Sequence, residues 1–131
     1  MRRTASTGSV KAIWLDREEV IARLRDISAR AVALFPEIEE IRLFGSIARG
    51  EQTGLSDVDL FLQIDSRGAS HAGEDNPIER MKPYFKYFSE ELKISLDMVV
   101  LTREEVLHPA RSGFTGALKE SIILFRRERQ G

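Results

Sequence analysis

The segment over residues 57–64 places the strongest constraint on how this 131-residue chain can fold. Its apolar residues alternate with other types, so one face of a pleated strand would carry Val58, Leu60, Leu62 and Ile64. The opposite face would carry Asp57, Asp59, Phe61 and Gln63. Two residues along a strand span roughly 6.6 Å, so both carboxylates can reach one cation or a pair of cations. The segment predicts a strand with one apolar face and two acids at the start of the other.

A second β-prone run, residues 41–44, precedes this strand and stops at Gly45. Glycine permits a tight turn and lets a ligand approach the backbone closely. Ser46 stands where a short helix or turn would begin, and a serine there can cap free backbone N–H groups. Because such N–H groups also attract phosphate oxygens, the sequence predicts an anion pocket beside the acidic strand.

A third acid, Asp97, interrupts the apolar run over residues 95–101. A charge among apolar residues needs a partner, which could be a nearby Arg or Lys. If this run is a strand beside the one that carries Asp57 and Asp59, three carboxylates converge. Such a triad suits a two-metal reaction, in which one ion activates a hydroxyl and the other holds a triphosphate and the leaving pyrophosphate. Mg²⁺ favours this kind of site, a few carboxylates plus substrate phosphates.

An Asp-x-Asp pair alone is weak evidence, since acidic pairs are common on solvated strand ends. Here, however, Gly45-Ser46 is followed after ten residues by Asp57-Val58-Asp59, and residues 41–64 as a whole resemble the signature of the minimal nucleotidyltransferases of the DNA polymerase β superfamily. The resemblance implies an α/β fold of the α+β type, with a small mixed β-sheet and helices mainly on one face. The predicted order of helices and strands agrees with it.

The same resemblance implies roles for particular residues. Gly45 and Ser46 would hold the triphosphate of ATP, while Asp57 and Asp59 would bind Mg²⁺, with Mn²⁺ as an alternative ion. Asp97 would complete the metal-binding and catalytic triad and help to activate the nucleophile. Arg49 also fits the family pattern after the turn; it would bind the nucleotide or pin the loop to a carboxylate, or else be an exposed residue of a short helix.

Length, charge and composition limit the function classes. At 131 residues the chain is expected to form a single domain, with residues 1–10 as a loose tail. A net charge of -1 without a broad basic surface argues against nucleic-acid binding. With no cysteine, disulfides and thiolate metal ligands are excluded. The tail lacks an apolar stretch, so we expect neither a signal peptide nor a membrane anchor, and a cytoplasmic location.

The remaining segments read as scaffold. Asp16 and Glu19 resemble a capping box for a helix that ends before Pro36, with core positions from Val20 to Leu34, and Trp14 and Leu15 packed before it. Pro77 suits the start of a helix reaching Leu92, which Pro83 would kink or divide. Short helices are predicted over residues 102–107 and 114–120, and a strand over residues 121–125. We interpret as mainly core the aromatic group Tyr84, Phe85, Tyr87 and Phe88.

Residues 65–76 form a polar connection longer than compact domains usually contain. This loop either folds over the nucleotide or is mobile. His71 and His108 lie in loop-like settings without a second histidine nearby, so a ligand role is not expected for either.

The leading functional hypothesis is Mg²⁺-dependent transfer of AMP from ATP to a hydroxyl, with release of pyrophosphate. By resemblance, small proteins of this type pair as antitoxins with a helical HEPN toxin and adenylylate one of its tyrosines, which predicts a protein partner and a homo- or hetero-oligomer. One alternative is a non-catalytic partner-binding module with the same fold. Another is a small-molecule enzyme such as an aminoglycoside nucleotidyltransferase, although the chain has little room for the extra helices that complete an acceptor pocket.

Overall fold

The computed structural model describes residues 3–4, 13–14, 16–51, 57–65, 77–107 and 120–127. In chain order the elements are β1 (Arg3–Thr4), β2 (Ile13–Trp14), α1 (Arg17–Leu34), β3 (Ile38–Phe44), α2 (Gly45–Ala48), β4 (Val58–Ile64), α3 (Pro77–Leu92), β5 (Leu96–Thr102), α4 (Arg103–Leu107) and β6 (Ile122–Arg126). This order of helices and strands confirms the predicted α+β fold. Within the described ranges, no helix is both long and apolar enough to cross a bilayer.

Four of the strands form one mixed sheet in the order β5-β4-β3-β6. Strand β3 runs antiparallel to β4 and to β6, whereas β4 and β5 are parallel. Parallel neighbours require a crossover connection, and α3 lies in the one that joins β4 to β5. Because β4 and β5 run in the same direction, their first residues lie at the same end of the sheet.

Helices α1 and α3 supply the core that covers one face of this sheet. The alternation predicted for β4 is confirmed, because four side chains of that strand are fully buried in this core: Val58, Leu60, Leu62 and Ile64. Phe61, on the same face as the acids, is also buried. The second face of β4 is therefore polar only at its ends, where Asp59 and Gln63 are partly exposed.

Helix α1 begins as its capping residue predicts. The Asp16 carboxylate accepts hydrogen bonds from the backbone N–H groups of Glu18 and Glu19, at 3.1 and 3.3 Å. At the other end of the helix, the prediction that Leu34 belongs to the core is wrong, since its side chain is 60 % exposed. Phe35 packs against the core in its place, with its ring 5.0 Å from that of Tyr84.

Helix α3 runs without interruption from Pro77 to Leu92, although Pro83 lies inside it. The division that Pro83 could have caused does not occur, because the buried residues after it hold the second half of the helix in the core. Tyr84 and Phe88 are buried, and the partly buried rings of Phe85 and Tyr87 pack against the same core. The aromatic group is therefore core, as predicted.

The strands differ from the sequence prediction in two places. Strand β3 begins at Ile38, three residues earlier than predicted, because Glu39 and Glu40 hide the apolar pattern there. In the segment predicted to be a loose tail, Arg3–Thr4 pairs with Ile13–Trp14 in a separate two-stranded sheet. Among the other predicted features, the packing of Trp14 and Leu15, residues 114–119 of the helix predicted over 114–120, and residues 66–76 of the loop predicted over 65–76 lie outside the described residues.

Candidate active site

The parallel pairing of β4 and β5 brings the predicted acids together. Asp59 on β4 and Asp97 on β5 are register partners, so their side chains leave the same face of the sheet side by side. Asp57 lies immediately before β4, two residues from Asp59. Asp57 and Asp97 are exposed, whereas Asp59 is half-buried. The structure therefore places all three at the end of the sheet where β4 and β5 begin.

The charges at this end of the sheet act on one another. Burial, and then the negative charges of Asp97 and Asp57, raise the pKa of Asp59 above its usual value. The positive charge of Arg49 lowers the pKa of Asp59 but does not outweigh those effects. An Asp whose pKa is raised in this way lacks a sufficient counter-charge, which a bound cation would supply.

Gly45 lies directly against Asp59, which explains why this position is a glycine. Its φ of +83° falls in the region that side chains rarely adopt. A Cβ added here would lie 2.2 Å from Asp59 Oδ2, well inside van der Waals contact. Phe44, the preceding residue, is the register partner of Asp59 between β3 and β4. The glycine turn and the acidic strand are thus in direct contact, as the predicted site requires.

The Gly-Ser turn forms a one-turn helix, α2, that starts at Gly45. The predicted capping role of Ser46 is wrong, because the N-cap position belongs to Phe44, whose side chain makes no capping hydrogen bond. Ser46 instead lies inside the turn, where its carbonyl accepts a hydrogen bond from Glu51 N–H at 2.8 Å. Ile47 and Ala48 are buried and anchor the turn in the core.

Of the roles considered for Arg49, the structure shows the one in which its side chain binds a carboxylate of the loop. Its Nε donates to Glu51 Oε1 at 3.0 Å and lies 3.9 Å from Glu120 Oε1. Its side chain is 41 % exposed, so it remains accessible to a ligand. Because its charge also acts on Asp59, Arg49 belongs to the acidic end of the sheet and is not a remote surface residue.

A further residue at this turn, Arg17, was not predicted from the sequence. This first residue of α1 donates from Nε to the carbonyl oxygen of Ile47 at 2.8 Å and from Nη2 to that of Ala48 at 2.9 Å. The partners are 30 and 31 residues apart in the chain. No local pattern in the sequence reports a contact over such a separation.

The donor types fit Mg²⁺, a hard cation that prefers carboxylate oxygens and substrate phosphates over an all-protein cage. As the side chains stand, no three His, Cys, Asp or Glu residues within the described ranges are grouped closely enough to hold a metal ion. Burial is the main cause of the raised pKa of Asp59, and the negative charges of Asp97 and Asp57 add to it. The carboxylates thus supply ligands of the right chemistry, and substrate oxygens would have to complete the coordination shell. His71 and His108, for which no ligand role was expected, lie outside the described ranges.

Comparison with known proteins supports the fold. No curated protein matches the sequence significantly. A proposed nucleotidyltransferase from Sulfolobus solfataricus, solved by crystallography, is 23% identical with a TM-score of 0.56, over 95% of this chain and 96% of that one. A toxin-antitoxin crystal structure with AMP-PNP includes a chain 19% identical, with a TM-score of 0.51, over 87% of this chain and 76% of that one. A mutant of the toxin-antitoxin pair MntA-HpeT is 17% identical, with a TM-score of 0.50 and the same coverage.

The family assignment comes from the sequence itself. Residues 24–112, more than half of the chain, match the sequence profile of the nucleotidyltransferase domain. The match includes the glycine turn and all three acids that the parallel strands bring together. The chain therefore belongs to the nucleotidyltransferase domain family.

Proposed function

We propose that the protein is a Mg²⁺-dependent nucleotidyltransferase that moves AMP from ATP to a hydroxyl group and releases pyrophosphate. The observation that carries the proposal is the register pairing of Asp59 with Asp97 beside the Gly45 turn. Membership of the nucleotidyltransferase family supports the reaction class. The raised pKa of Asp59, caused by burial and then by Asp97 and Asp57, also supports a cation at this position.

Each residue of the site has a distinct task in this reaction. Asp57 and Asp59 would hold Mg²⁺, which would neutralise the triphosphate and favour ionisation of the acceptor hydroxyl. Gly45 and Ser46 would let the triphosphate approach the backbone, with Arg49 near a phosphate. The acceptor oxygen would form a bond to the α-phosphorus while the bond from that phosphorus to the bridging oxygen breaks. Asp97, exposed on the same face, would help to bind the cation and take up the hydroxyl proton.

The rate gain would come mainly from positioning and from charge neutralisation, because phosphoryl transfer needs little covalent help from the protein. The paired strands β4 and β5 are suited to this task. Their backbone hydrogen bonds place Asp59 beside Asp97 before any ligand binds.

The acceptor in this proposal is a tyrosine of a HEPN-type toxin, and the protein acts in the cytoplasm as the antitoxin of that pair. Two of the similar solved structures are toxin-antitoxin assemblies, and one of them includes AMP-PNP. The partner would bring the acceptor hydroxyl to the exposed Asp97.

Radiolabelled ATP tests this function directly. The protein, Mg²⁺ and the product of the adjacent gene are incubated with ATP labelled at the α- or at the γ-phosphate. We expect the partner to become labelled from α-labelled ATP and not from γ-labelled ATP, because AMP is the transferred group. Asp59→Asn and Asp57→Asn should abolish the labelling, by at least ~100-fold, since each removes a charge that faces the cation.

Asp26→Asn is the matched control. Asp26 lies on α1, pairs with Arg30 at 2.8 Å and is 71% exposed. Its replacement should leave labelling unchanged. Labelling from γ-labelled ATP, or full labelling by the Asp59→Asn protein, would contradict the proposed function. A non-catalytic binding module with this fold would bind the partner without labelling it.

A further inference from the structure

We propose that Arg17 is a positioning residue for the nucleotide, because it fixes the turn over residues 45–50. Arg17 lies outside the motif formed by Gly45-Ser46 and Asp57-Val58-Asp59. The proposal rests on the proposed function, because it concerns the conformation in which this turn would receive the triphosphate.

The turn over residues 45–50 needs more hydrogen bonds than its own backbone provides. Helix α2 has four residues, and helices of that length are not stable in isolation. The carbonyl groups at the end of a helix lack helical partners and must find other donors. Arg49 N–H donates to Gly45 at 3.2 Å, Glu51 N–H to Ser46 at 2.8 Å and Gly50 N–H to Ile47 at 3.1 Å.

Arg17 completes this set of hydrogen bonds. Its guanidinium donates to the last two carbonyls of α2, those of Ile47 and Ala48, at 2.8 and 2.9 Å. The planar guanidinium presents both N–H groups at a fixed separation, so two bonds from one side chain also fix the direction of the turn. A positive charge at the end of the turn is favourable there as well, because the carbonyl ends carry partial negative charge.

Arg17 itself is held in place by the rest of the molecule. It is the first residue of α1, directly after the capping residue Asp16. Val20 and Leu24, within the next two turns of the helix, are buried in the core. The Arg17 side chain is 31% exposed, so it is partly shielded, and its Nη1 lies 3.7 Å from Glu18 Oε2. Arg17 thus ties the turn to α1, the longest of the helices in the described part of the chain.

The position of the turn matters because Gly45 has no free space beside Asp59. Even a methyl group on Gly45 would meet Asp59 Oδ2 at 2.2 Å, so a small displacement of the turn changes its relation to the metal-binding acids. Transfer reactions that depend on positioning lose rate steeply when reacting groups move by about 1 Å. We therefore expect loss of Arg17 to weaken nucleotide binding and to slow transfer beyond its effect on stability.

The chain offers a closely matched control in Arg23. This residue also lies on α1 and also donates to carbonyls at the end of another helix, from Nη2 to Leu92 at 2.8 Å and Glu91 at 3.4 Å. The helix it contacts is α3, which carries none of the proposed site residues. Arg23→Ala therefore removes the same kind of interaction without touching the turn.

Two measurements on the full-length wild type, Arg17→Ala, Arg17→Lys and Arg23→Ala test the proposal. Amide hydrogen exchange without nucleotide reports the turn itself, through the amides of residues 49–51 that bond to α2. Calorimetry with Mg²⁺ and AMP-PNP reports nucleotide affinity. For Arg17→Ala we expect both exchange at these amides and the Kd to rise about tenfold, which corresponds to ~1.4 kcal/mol.

Arg17→Lys should fall between Arg17→Ala and the wild type, because one ammonium group can serve only one of the two carbonyls well. Arg23→Ala should leave the exchange of residues 49–51 and the Kd unchanged, even where it lowers the free energy of unfolding as much as Arg17→Ala does. Equal increases in Kd for the two alanine variants would show a general loss of stability and overturn the positioning role.

Failure of the proposed function gives a different result. If the wild type binds no AMP-PNP, the proposed function and the nucleotide part of this proposal both fall. Hydrogen exchange then still decides whether Arg17 fixes the turn. Unchanged exchange in Arg17→Ala would overturn the structural part of the proposal as well, whatever the nucleotide result.

Discussion

The two ends of the four-stranded sheet treat their carboxylates in opposite ways. At the end where β5 stops, Glu105 accepts hydrogen bonds from Thr102 N–H at 2.8 Å and from buried Arg80 at 2.7 Å. Burial would raise the pKa of Glu105, but these bonds outweigh it and lower that pKa. The pKa of Glu39, at the same end, is also lowered, because hydrogen bonds from Arg103 and Gln63 outweigh the effect of its burial. We call this region the paired end.

The site end, formed by Asp57, Asp59 and Asp97, has the reverse balance. The pKa of Asp59 is raised by its burial and by its two acidic neighbours. The same sheet thus holds the pKa values of Glu105 and Glu39 down by hydrogen bonds at the paired end. It leaves the pKa of Asp59 raised where the proposed cation and triphosphate would bind. Functional sites commonly carry interactions that cost stability, and Asp59 is such a residue at the end where β4 and β5 begin.

The largest effect on stability should come from a methyl group at Gly45. For Gly45→Ala we expect a loss of about 3 kcal/mol in the free energy of unfolding, from the positive φ and from the clash with Asp59. Gly50→Ala is the control, since Gly50 also has a positive φ, +76°, but its added Cβ would have Arg17 Nε at 4.0 Å. It should cost only ~1 kcal/mol, the backbone part of the effect.

Urea unfolding measures both Gly variants, and a double variant isolates the contact. In an Asp59→Ala background, the cost of Gly45→Ala should fall towards that of Gly50→Ala, because the clashing carboxylate has gone. An unchanged cost in that background would show that the turn and Asp59 are not in contact as described.

At the paired end, neutralising Glu105 should destabilise the protein. Glu105→Gln removes the negative charge that faces Arg80, whose side chain is 6% exposed. We expect a loss of ~2 kcal/mol in the free energy of unfolding, since a buried charged donor is left with a weaker acceptor. Glu104→Gln, at the exposed neighbouring residue, should change that free energy by no more than about 0.5 kcal/mol. Equal effects of the two variants would remove the distinction between the two ends.

At the site end, the same type of substitution should stabilise the protein. For Asp59→Asn at neutral pH without divalent cations, we expect a gain of about 0.5 kcal/mol in the free energy of unfolding. The gain is small because Asp59 is only partly buried and solvent screens its repulsion. Asp97→Asn should give a smaller gain still, since Asp97 is exposed. A clear loss of stability on Asp59→Asn would mean that this carboxylate is already satisfied.

The smallest effects should appear in how the stability changes caused by Asp59→Asn and Glu105→Gln vary with pH. A raised pKa in the folded state means that Asp59 costs stability above that pKa, and the cost disappears as pH falls towards 3.8. The gain from Asp59→Asn should therefore shrink over this window. The lowered pKa of Glu105 means that its stabilisation is present above 4.5 and is lost as pH falls through the lowered value. The cost of Glu105→Gln should shrink below pH 4.5, as urea unfolding across this range would show.

The sequence predicted those parts of the fold and site that depend on near neighbours in the chain. The alternation over β4 fixes which face is buried, so the placement of Asp59 opposite the core followed from residues 57–64 alone. The Gly45 turn was predictable because a glycine ended an apolar run. That Asp59 and Asp97 are register partners required the structure, since two strands 38 positions apart can pair in several registers.

Other features depend on partners that are distant in sequence. The first residues of β3 were missed because Glu39 and Glu40 look like loop residues until their partners Arg103 and Arg126 are known. Arg17 was missed for the same reason, as nothing near it in the chain indicates the carbonyl groups that it contacts. Leu34 fits the helical spacing, but the chain ends α1 there and Phe35 fills the core instead.

At the site end, Asp59 has too little counter-charge from Arg49 alone, and we expect Mg²⁺ to supply the rest when it binds together with a nucleotide. The most direct test compares the free energy of urea unfolding of the wild type and Asp59→Asn, with and without saturating Mg²⁺ and AMP-PNP. We expect the variant to be the more stable protein without ligand, and the wild type to become the more stable one with ligand, because ligands stabilise only the state that binds them. An order that stays the same in both conditions would contradict the claim.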